Sequence, residues 1–252
     1  MLRKVVVCAV AVLGSAALNA VPATAIVGGS PATPESAPYQ VSVRSDGWTG
    51  KSHVCGGFLL SASKVITAAH CVDGAAASKM EVQWGGLNRD KLPMVSSVTK
   101  IIIHPQYTSA NLANDVAVLT LSKPATEANG VKFAHLATSD PATGADVTVT
   151  GWGRNQRDST NVPQQLQAAQ LPVLSRDSCA GVYSEPGAPF DTTGRFCAGP
   201  AGGEQAVCNG DAGGPAVLDG IVVGITSGGG PGCAKPSLFS SVAYFKPWLE
   251  SQ

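Results

Sequence analysis

Short runs of alternating apolar and polar residues, separated by turn-forming residues, are the feature that most restricts the fold of this chain. Residues 39–44, 80–84 and 146–150 alternate with a period of two, which is typical of β-strands with one buried face. Further apolar runs with strand character span residues 97–103, 116–121 and 220–226. Turn clusters such as residues 139–144 lie between them, and the 252 residues include 29 glycines and 17 prolines. This pattern predicts an all-β sandwich or closed barrels.

Few segments have a helical pattern. The distribution of charged residues argues against a nucleic-acid-binding protein. Residues 176–183 and the chain from Tyr244 onward are the two predicted helices. Hydrophobic residues make up 44% of the chain, enough for a substantial core in one large domain or two small ones. Acidic and basic residues number 17 each, and no basic stripe indicates binding to nucleic acid.

The first 25 residues have the pattern of a secretory signal peptide. Arg3 and Lys4 precede an apolar run over residues 5–18, which is short for a membrane span. Cleavage is expected after Ala20 or after Ala25, because small residues precede both positions. In the first case residues 21–25 would form a propeptide. We therefore expect a secreted, extracellular protein without a membrane span.

The cysteine count predicts disulfides. Of the seven cysteines, Cys8 lies within the predicted signal peptide, and six remain for the mature chain. An even set in an oxidising compartment predicts three disulfides, although six cysteines allow fifteen pairings and spacing does not select one. No Cys-x-x-Cys pair is present, and the adjacent His70 and Cys71 are poorly spaced for one zinc ion. We expect no metal and no cofactor.

Five short segments carry chemical information. They are Ile-Val-Gly-Gly at 26–29, Thr-Ala-Ala-His-Cys at 67–71, Asn-Asp-Val-Ala-Val-Leu at 114–119, Gly-Trp-Gly at 151–153 and Cys-Asn-Gly-Asp-Ala-Gly-Gly-Pro at 208–215. In this order and spacing the set resembles the chymotrypsin/trypsin-like serine protease family, and the resemblance covers residues 26–252. It implies one protease domain with two six-stranded antiparallel β-barrels and a short C-terminal helix.

The resemblance also implies roles for individual residues. His70 corresponds to the general base, Asp115 to the carboxylate that orients it, and Ser227 to a serine that supports this carboxylate. Gly210 and Ala212 correspond to the residues whose backbone N–H groups form the oxyanion hole.

Further roles concern activation and the disulfides. Asp211 corresponds to the acid that pairs with a newly formed amine of Ile26, and His53 to a histidine that can contact this acid before activation. The disulfides implied by the resemblance are Cys55–Cys71, Cys179–Cys197 and Cys208–Cys233.

One residue departs from the family at the position that matters most for catalysis. The family's loop reads Gly-Asp-Ser-Gly-Gly-Pro, whereas residues 210–215 read Gly-Asp-Ala-Gly-Gly-Pro. Ala212 has no hydroxyl, so no acyl-enzyme can form there. We therefore expect a proteolytically inactive homologue, a monomer that binds peptides or protease inhibitors. The alternative is an active serine endopeptidase in which Ala212 is an engineered change or a sequence error.

The residues corresponding to the specificity pocket also depart from the trypsin pattern. Ala206 stands where trypsin-like members have an aspartate, and a cationic substrate side chain would be desolvated there without a partner. Gly229 and Ser237 indicate a neutral, fairly open pocket for apolar residues. Gly228 replaces a tryptophan and removes an aromatic wall, which is expected to weaken the grip on substrate.

Overall fold

The computed structural model describes residues 26–47, 50–155 and 162–252. The predicted signal peptide and its two cleavage sites lie outside the described residues. Within these ranges the chain folds into two antiparallel β-sheets and two short α-helices. The larger apolar cluster combines residues of the first sheet with Val217, Val222 and Ile225 of the second, and a separate cluster lies within the second sheet.

The first sheet is a closed six-stranded barrel. Its strands follow one another in the order β2-β3-β4-β7-β6-β5, and every neighbouring pair is antiparallel. Closure leaves no free strand edge, and inward-facing side chains fill the barrel. The strands are β2 Gln40–Gly47, β3 Gly50–Leu59, β4 Lys64–Thr67, β5 Met80–Trp84, β6 Met94–Ile103 and β7 Ala117–Leu121.

The second sheet has seven strands, in the order β1-β9-β8-β11-β12-β13-β10, and forms a half-barrel. It differs from the expected six-stranded barrel because the two-residue strand β1 is added beside β9. Only an isolated bridge between Val173 and Ala198 joins β10 to the end of β9. The strands are β1 Ser30–Pro31, β8 Asp146–Gly151, β9 Gln167–Pro172, β10 Arg195–Ala198, β11 Pro215–Leu218, β12 Ile221–Gly228 and β13 Ser237–Ser241.

Two helices complete the fold, α1 Arg176–Tyr183 and α2 Val242–Glu250. The first has the predicted bounds, whereas the second begins two residues before the predicted start. Ser241 caps α2, because its hydroxyl accepts a hydrogen bond from the Tyr244 N–H at 3.1 Å. The buried face of α2 belongs to the apolar cluster of the barrel, although the helix directly follows the last strand of the other sheet. It therefore ties the two halves together.

All three disulfides implied by the family resemblance are present, namely Cys55–Cys71, Cys179–Cys197 and Cys208–Cys233. The first joins β3 to the turn that carries His70. The last joins the loop of Ala212 to the segment after β12. Two of the three thus hold loops of the candidate site.

The described residues were also searched for membrane-spanning helices. None of the helices in residues 26–47, 50–155 and 162–252 is both long enough and apolar enough to cross a bilayer.

Candidate active site

His70 and Asp115 are joined by two hydrogen bonds, one from the ring of His70 and one from its backbone. His70 lies in the single 3₁₀ turn Ala69–Cys71 after β4, and Asp115 lies two residues before β7. The ring Nδ1 is 2.7 Å from Asp115 Oδ2, and the backbone N–H of His70 donates to Oδ1 at 2.9 Å. Because a carboxylate only accepts, the proton of this pair lies on Nδ1, and Nε2 is left with a free lone pair.

The Asp115 carboxylate is completely buried, yet it has three hydrogen-bond donors. Besides the two from His70, the hydroxyl of Ser227 donates to Oδ2 at 2.6 Å. The hydroxyl of Ser240 donates to the backbone carbonyl of Asp115 at 3.0 Å. A buried carboxylate without partners would cost several kcal/mol, so these donors are what hold it in the interior. Ser240 was not predicted from the sequence, because nothing in its neighbourhood marks it.

The loop around Ala212 is fixed by its backbone. Gly214 N–H donates to Asp211 O at 3.0 Å, Gly213 N–H donates to Thr226 O at 2.7 Å, and the Ala212 carbonyl accepts from Gly56 N–H at 2.8 Å. None of these bonds uses the side chain at position 212. The Ala212 methyl packs with the barrel core and is 9% exposed.

The backbone N–H groups of the two residues that flank Asp211 are free. Those of Gly210 and Ala212 have no acceptor among the residues that the structure describes. Gly210 has φ +101°, a conformation that side chains with a β-carbon rarely adopt. A pair of unpaired N–H groups two residues apart can bind the oxygen of a carbonyl or carboxylate.

His53 holds the carbonyl group of Gly210 by a hydrogen bond. Its Nε2 lies 2.9 Å from the Gly210 carbonyl, and its Nδ1 lies 2.9 Å from the Ser42 hydroxyl. Burial lowers the pKa of His53 to about 4. The neutral ring therefore donates from Nε2 and accepts at Nδ1. The resemblance suggested a contact with Asp211, and here His53 contacts the neighbouring carbonyl of Gly210 instead.

Asp211 is buried, and its carboxylate bonds to backbone N–H groups rather than to His53. Its Oδ1 accepts from Gly153 N–H at 2.7 Å and its Oδ2 from Cys208 N–H at 2.9 Å. Burial raises the pKa of this carboxyl to about 7, and the two backbone donors offset only part of the effect. At the start of the described chain, Ile26 is fully buried with φ +59°, and Val27 pairs with Ala206 through two backbone hydrogen bonds.

The residues of the predicted specificity pocket lie together and are uncharged. Ala206 and Ser237 are completely buried, and the Ser237 hydroxyl accepts from Val207 N–H at 2.9 Å. A β-carbon at Gly229 would overlap the Val207 carbonyl, so only glycine fits there. At Gly228, by contrast, a β-carbon would meet no atom within 4 Å.

The only metal-like cluster among the described residues is formed by Cys55, His70 and Cys71. Its two sulfurs are bonded to each other as a disulfide. They are therefore not available as the thiolates that bind zinc.

Comparison with known proteins identifies this arrangement. The sequence model of the family described as "Trypsin" matches residues 26–249. The chain is 36% identical over 229 residues to trypsin alpha of Drosophila melanogaster, covering 90% of this chain and 86% of that protein. It is 38% identical over 233 residues to trypsin-3 of Salmo salar, covering 90% and 92%. This chain belongs to the trypsin family.

Membership of the trypsin family explains why the motif residues converge. The five segments are far apart in the sequence and are linked to one another by contacts. His70 contacts Asp115, and Gly153 N–H donates to Asp211. Thr67 lies against Gly213, and Val27 pairs with Ala206 just before the loop. His70 and Asp115 come from the barrel, whereas Ser227 and the loop 208–214 come from the half-barrel. Ser42 and Ser240 lie outside the five motif segments, and their roles follow from their hydrogen bonds to His53 and to the Asp115 carbonyl.

The tight turn at Gly213 provides a test of the loop. A β-carbon there would overlap Thr67 Oγ1 and the Gly56 carbonyl, which are hydrogen-bonded to each other at 2.8 Å. We expect Gly213→Ala to lower the free energy of unfolding by about 3 kcal/mol or more. The matched control is Gly74→Ala, where φ is similar (+71° against +81°) but nothing lies within 4 Å, with an expected loss of about 1 kcal/mol. Equal losses in urea denaturation would contradict this account.

The raised pKa of Asp211 predicts a pH dependence of stability. In the chain with the 25–26 peptide bond intact, folded Asp211 holds its proton up to about pH 7, whereas the unfolded group loses it near pH 4. Between these values native Asp211 lowers stability as pH rises. We expect the stability of Asp211→Asn relative to the native chain to rise with pH, by at most about 1.4 kcal/mol per unit.

Urea denaturation at several pH values between 4 and 7 measures the difference in free energy of unfolding between Asp211→Asn and the native chain. The lowered pKa of His53 acts with the opposite sign, because its stabilising effect is lost as pH falls. Both chains contain His53, so its contribution cancels in the comparison. A stability difference that does not vary with pH would show that Asp211 is ionised throughout.

Proposed function

We propose that this chain is a protease homologue that binds peptides or protease inhibitors without hydrolysing them. The observation that carries the proposal is Ala212, which lies between Asp211 and Gly213 in the loop that has the free N–H groups. His70 has a free Nε2 lone pair, but alanine offers no proton for it to remove. The site therefore retains binding groups and lacks a nucleophile.

The expected loss of turnover in the absence of a serine nucleophile supports inactivity. In subtilisin, a protease with the same triad on another fold, removal of the serine lowers turnover by about a million-fold. This corresponds to roughly 8 kcal/mol of lost transition-state stabilisation. The oxyanion hole and substrate binding leave a residual acceleration of about 10³–10⁴ over water. We therefore expect no physiologically useful peptide hydrolysis by this chain.

The intact surroundings of Ala212 favour a second candidate function, an active serine endopeptidase in which this alanine is an engineered change or a sequence error. None of the hydrogen bonds that fix the loop uses the side chain of residue 212, so a serine would be compatible with them. The uncharged residues Ala206 and Ser237 favour cleavage after Phe, Tyr or Leu rather than after Arg. Resequencing of the codon for residue 212 tests this candidate directly.

The Ala212→Ser variant tests both candidates. We expect the native protein to remain unlabelled by a fluorophosphonate, which reacts with activated serines, and the variant to be labelled and to cleave after apolar residues. The matched control is Ala212→Ser combined with His70→Ala, which should be neither labelled nor active because no base activates the serine. Labelling of the native protein would contradict the proposal, and cleavage after Arg would contradict the pocket assignment.

We further propose that the protein is secreted and that its mature chain begins at Ile26. Three disulfides favour an oxidising compartment. A free amine at Ile26 would be a cation for the buried Asp211, which has only backbone donors in the intact chain. Cleavage after Ala25 would supply this amine at once, whereas cleavage after Ala20 would require removal of residues 21–25.

N-terminal sequencing of secreted protein distinguishes these routes. We expect Ile26 as the first residue, because pairing with its amine would favour ionised Asp211 and remove the cost of its burial. In this form Asp211→Asn should be less stable than the native chain at pH 7, the reverse of its effect in the intact chain. A mature protein that begins at Val21 would contradict the proposed activation.

A further inference from the structure

A cavity of about 470 Å³ is lined by residues from both halves of the fold and shares none of them with the candidate active site. Its volume is within the range of small-molecule sites. Tyr39, which directly precedes the barrel strand β2, lines it together with Phe133 from the connection between the two sheets. Val217 and Leu218 of β11 line it from the half-barrel. These side chains supply apolar surface to the cavity.

The hydroxyl of Tyr39 is a polar group that lacks a partner. Tyr39 is only 4% exposed, and its ring packs in the larger apolar cluster. The hydroxyl makes no hydrogen bond with the described residues, yet it is not one of their enclosed side-chain atoms without a partner. It therefore keeps its contact with solvent through the cavity that Tyr39 lines. Burial raises the pKa of Tyr39 to about 12, so at pH 7 the group is a hydroxyl that can accept a hydrogen bond from a cation.

Acidic residues outnumber basic residues around the cavity. Besides Tyr39, its titratable residues are Glu35, Glu127, Asp146, Asp219, Lys132 and His135. Four acids and one lysine give a charge of −3, or −2 when His135 is protonated. In the part of the chain that the structure describes, none of the four acids forms an ion pair, and neither does Lys132. The whole chain has 17 acidic and 17 basic residues, so this local excess favours a cationic ligand.

The carboxylates are spread around the cavity rather than gathered at one point. Within the described ranges, the one set of three possible metal ligands with atoms within 4.8 Å of one another lies at His70, outside this cavity. A compact cation such as Ca²⁺ takes about six to eight oxygen ligands and would reach too few of these carboxylates. A ligand with several positive charges separated along a chain would reach more of them.

We propose that this cavity binds a linear aliphatic polyamine, with ammonium groups on the Tyr39 hydroxyl and the surrounding carboxylates and methylene groups against the apolar walls. Each ammonium group has N–H donors for these oxygen atoms, and burial of the methylene groups removes apolar surface from water. Binding requires neither proteolysis nor a peptide ligand at the candidate active site. The ligand would contact both halves of the fold.

Titration of the secreted, mature protein with spermidine tests the proposal, with binding followed by calorimetry at pH 7 and low ionic strength. We expect saturable binding that weakens as NaCl is added, because salt screens the attraction between charges. Pentylamine has a similar apolar chain but only one ammonium group. It should bind roughly fivefold or more weakly than spermidine, as for the loss of two exposed ion pairs. Ca²⁺ should not displace spermidine beyond the effect of ionic strength.

Two variants test the assigned contacts. Tyr39→Phe keeps the ring and should lower the affinity for spermidine about tenfold, as for the loss of a hydrogen bond to a charged group. Asp219→Asn should lower it about two- to fivefold, as for an exposed ion pair. Asp219 and Gly220 form the two-residue turn between β11 and β12 with φ +50° and +79°, and Asn-Gly is also favoured in such a turn. This variant should therefore keep the fold.

The matched control is Asp73→Asn, which makes the same change in net charge. Asp73 is exposed, forms no ion pair with the described residues and does not line the cavity, so its replacement should leave the affinity unchanged. Equal losses in Asp219→Asn and Asp73→Asn would indicate a general effect of charge and would overturn the proposal. Unchanged affinity in Tyr39→Phe, displacement by Ca²⁺ at constant ionic strength, or no saturable binding up to about 10 mM would also overturn it. The fluorophosphonate assay of Ala212→Ser does not depend on this cavity, so either proposal can fail without the other.

Discussion

The buried carboxylate of Asp115 is the interaction on which the candidate site depends. Its donors come from both sheets, His70 from the barrel and Ser227 from the half-barrel, while Ser240 binds its backbone carbonyl. An unpaired carboxylate in this place would be expelled or protonated, so the two sheets must keep a fixed spacing for it to remain. The orientation of the imidazole and the packing of the two halves are therefore maintained by the same contacts.

A second buried carboxylate, that of Asp211, lies in the loop on the other side of the candidate site. Asp211 is held by backbone donors, and burial raises its pKa to about 7. Its neighbour Gly210 is held by His53 from the barrel, and burial keeps that ring neutral. The loop thus contacts two buried titratable groups whose pKa shifts act on stability in opposite directions. The pH dependence of stability therefore has to be considered for Asp211 and His53 together.

The sequence predicted those parts of the molecule that are encoded locally. The alternation of residues 80–84 gave the bounds of β5, and contiguous motifs located His70, Asp115 and the loop of Ala212. By contrast, β9 contains Gln and Ala, which have little strand preference, and it forms because it pairs along its full length with β8. The contact of Ser240 with the Asp115 carbonyl depends on strand register, which no local pattern reports.

The hydrogen bonds and packing of the loop explain why an alanine at position 212 is compatible with the geometry of the candidate site. Position 212 contributes a free N–H, a carbonyl bound by Gly56 N–H and a methyl group packed with the barrel core. None of these contributions requires a hydroxyl, and a methyl group leaves no buried polar atom without a partner. Replacement of serine by alanine at this position therefore has little effect on folding, whereas it removes the group that would attack a substrate. The geometry of the loop depends on the backbone and β-carbon of residue 212, whereas nucleophilic attack would depend on a side-chain oxygen atom.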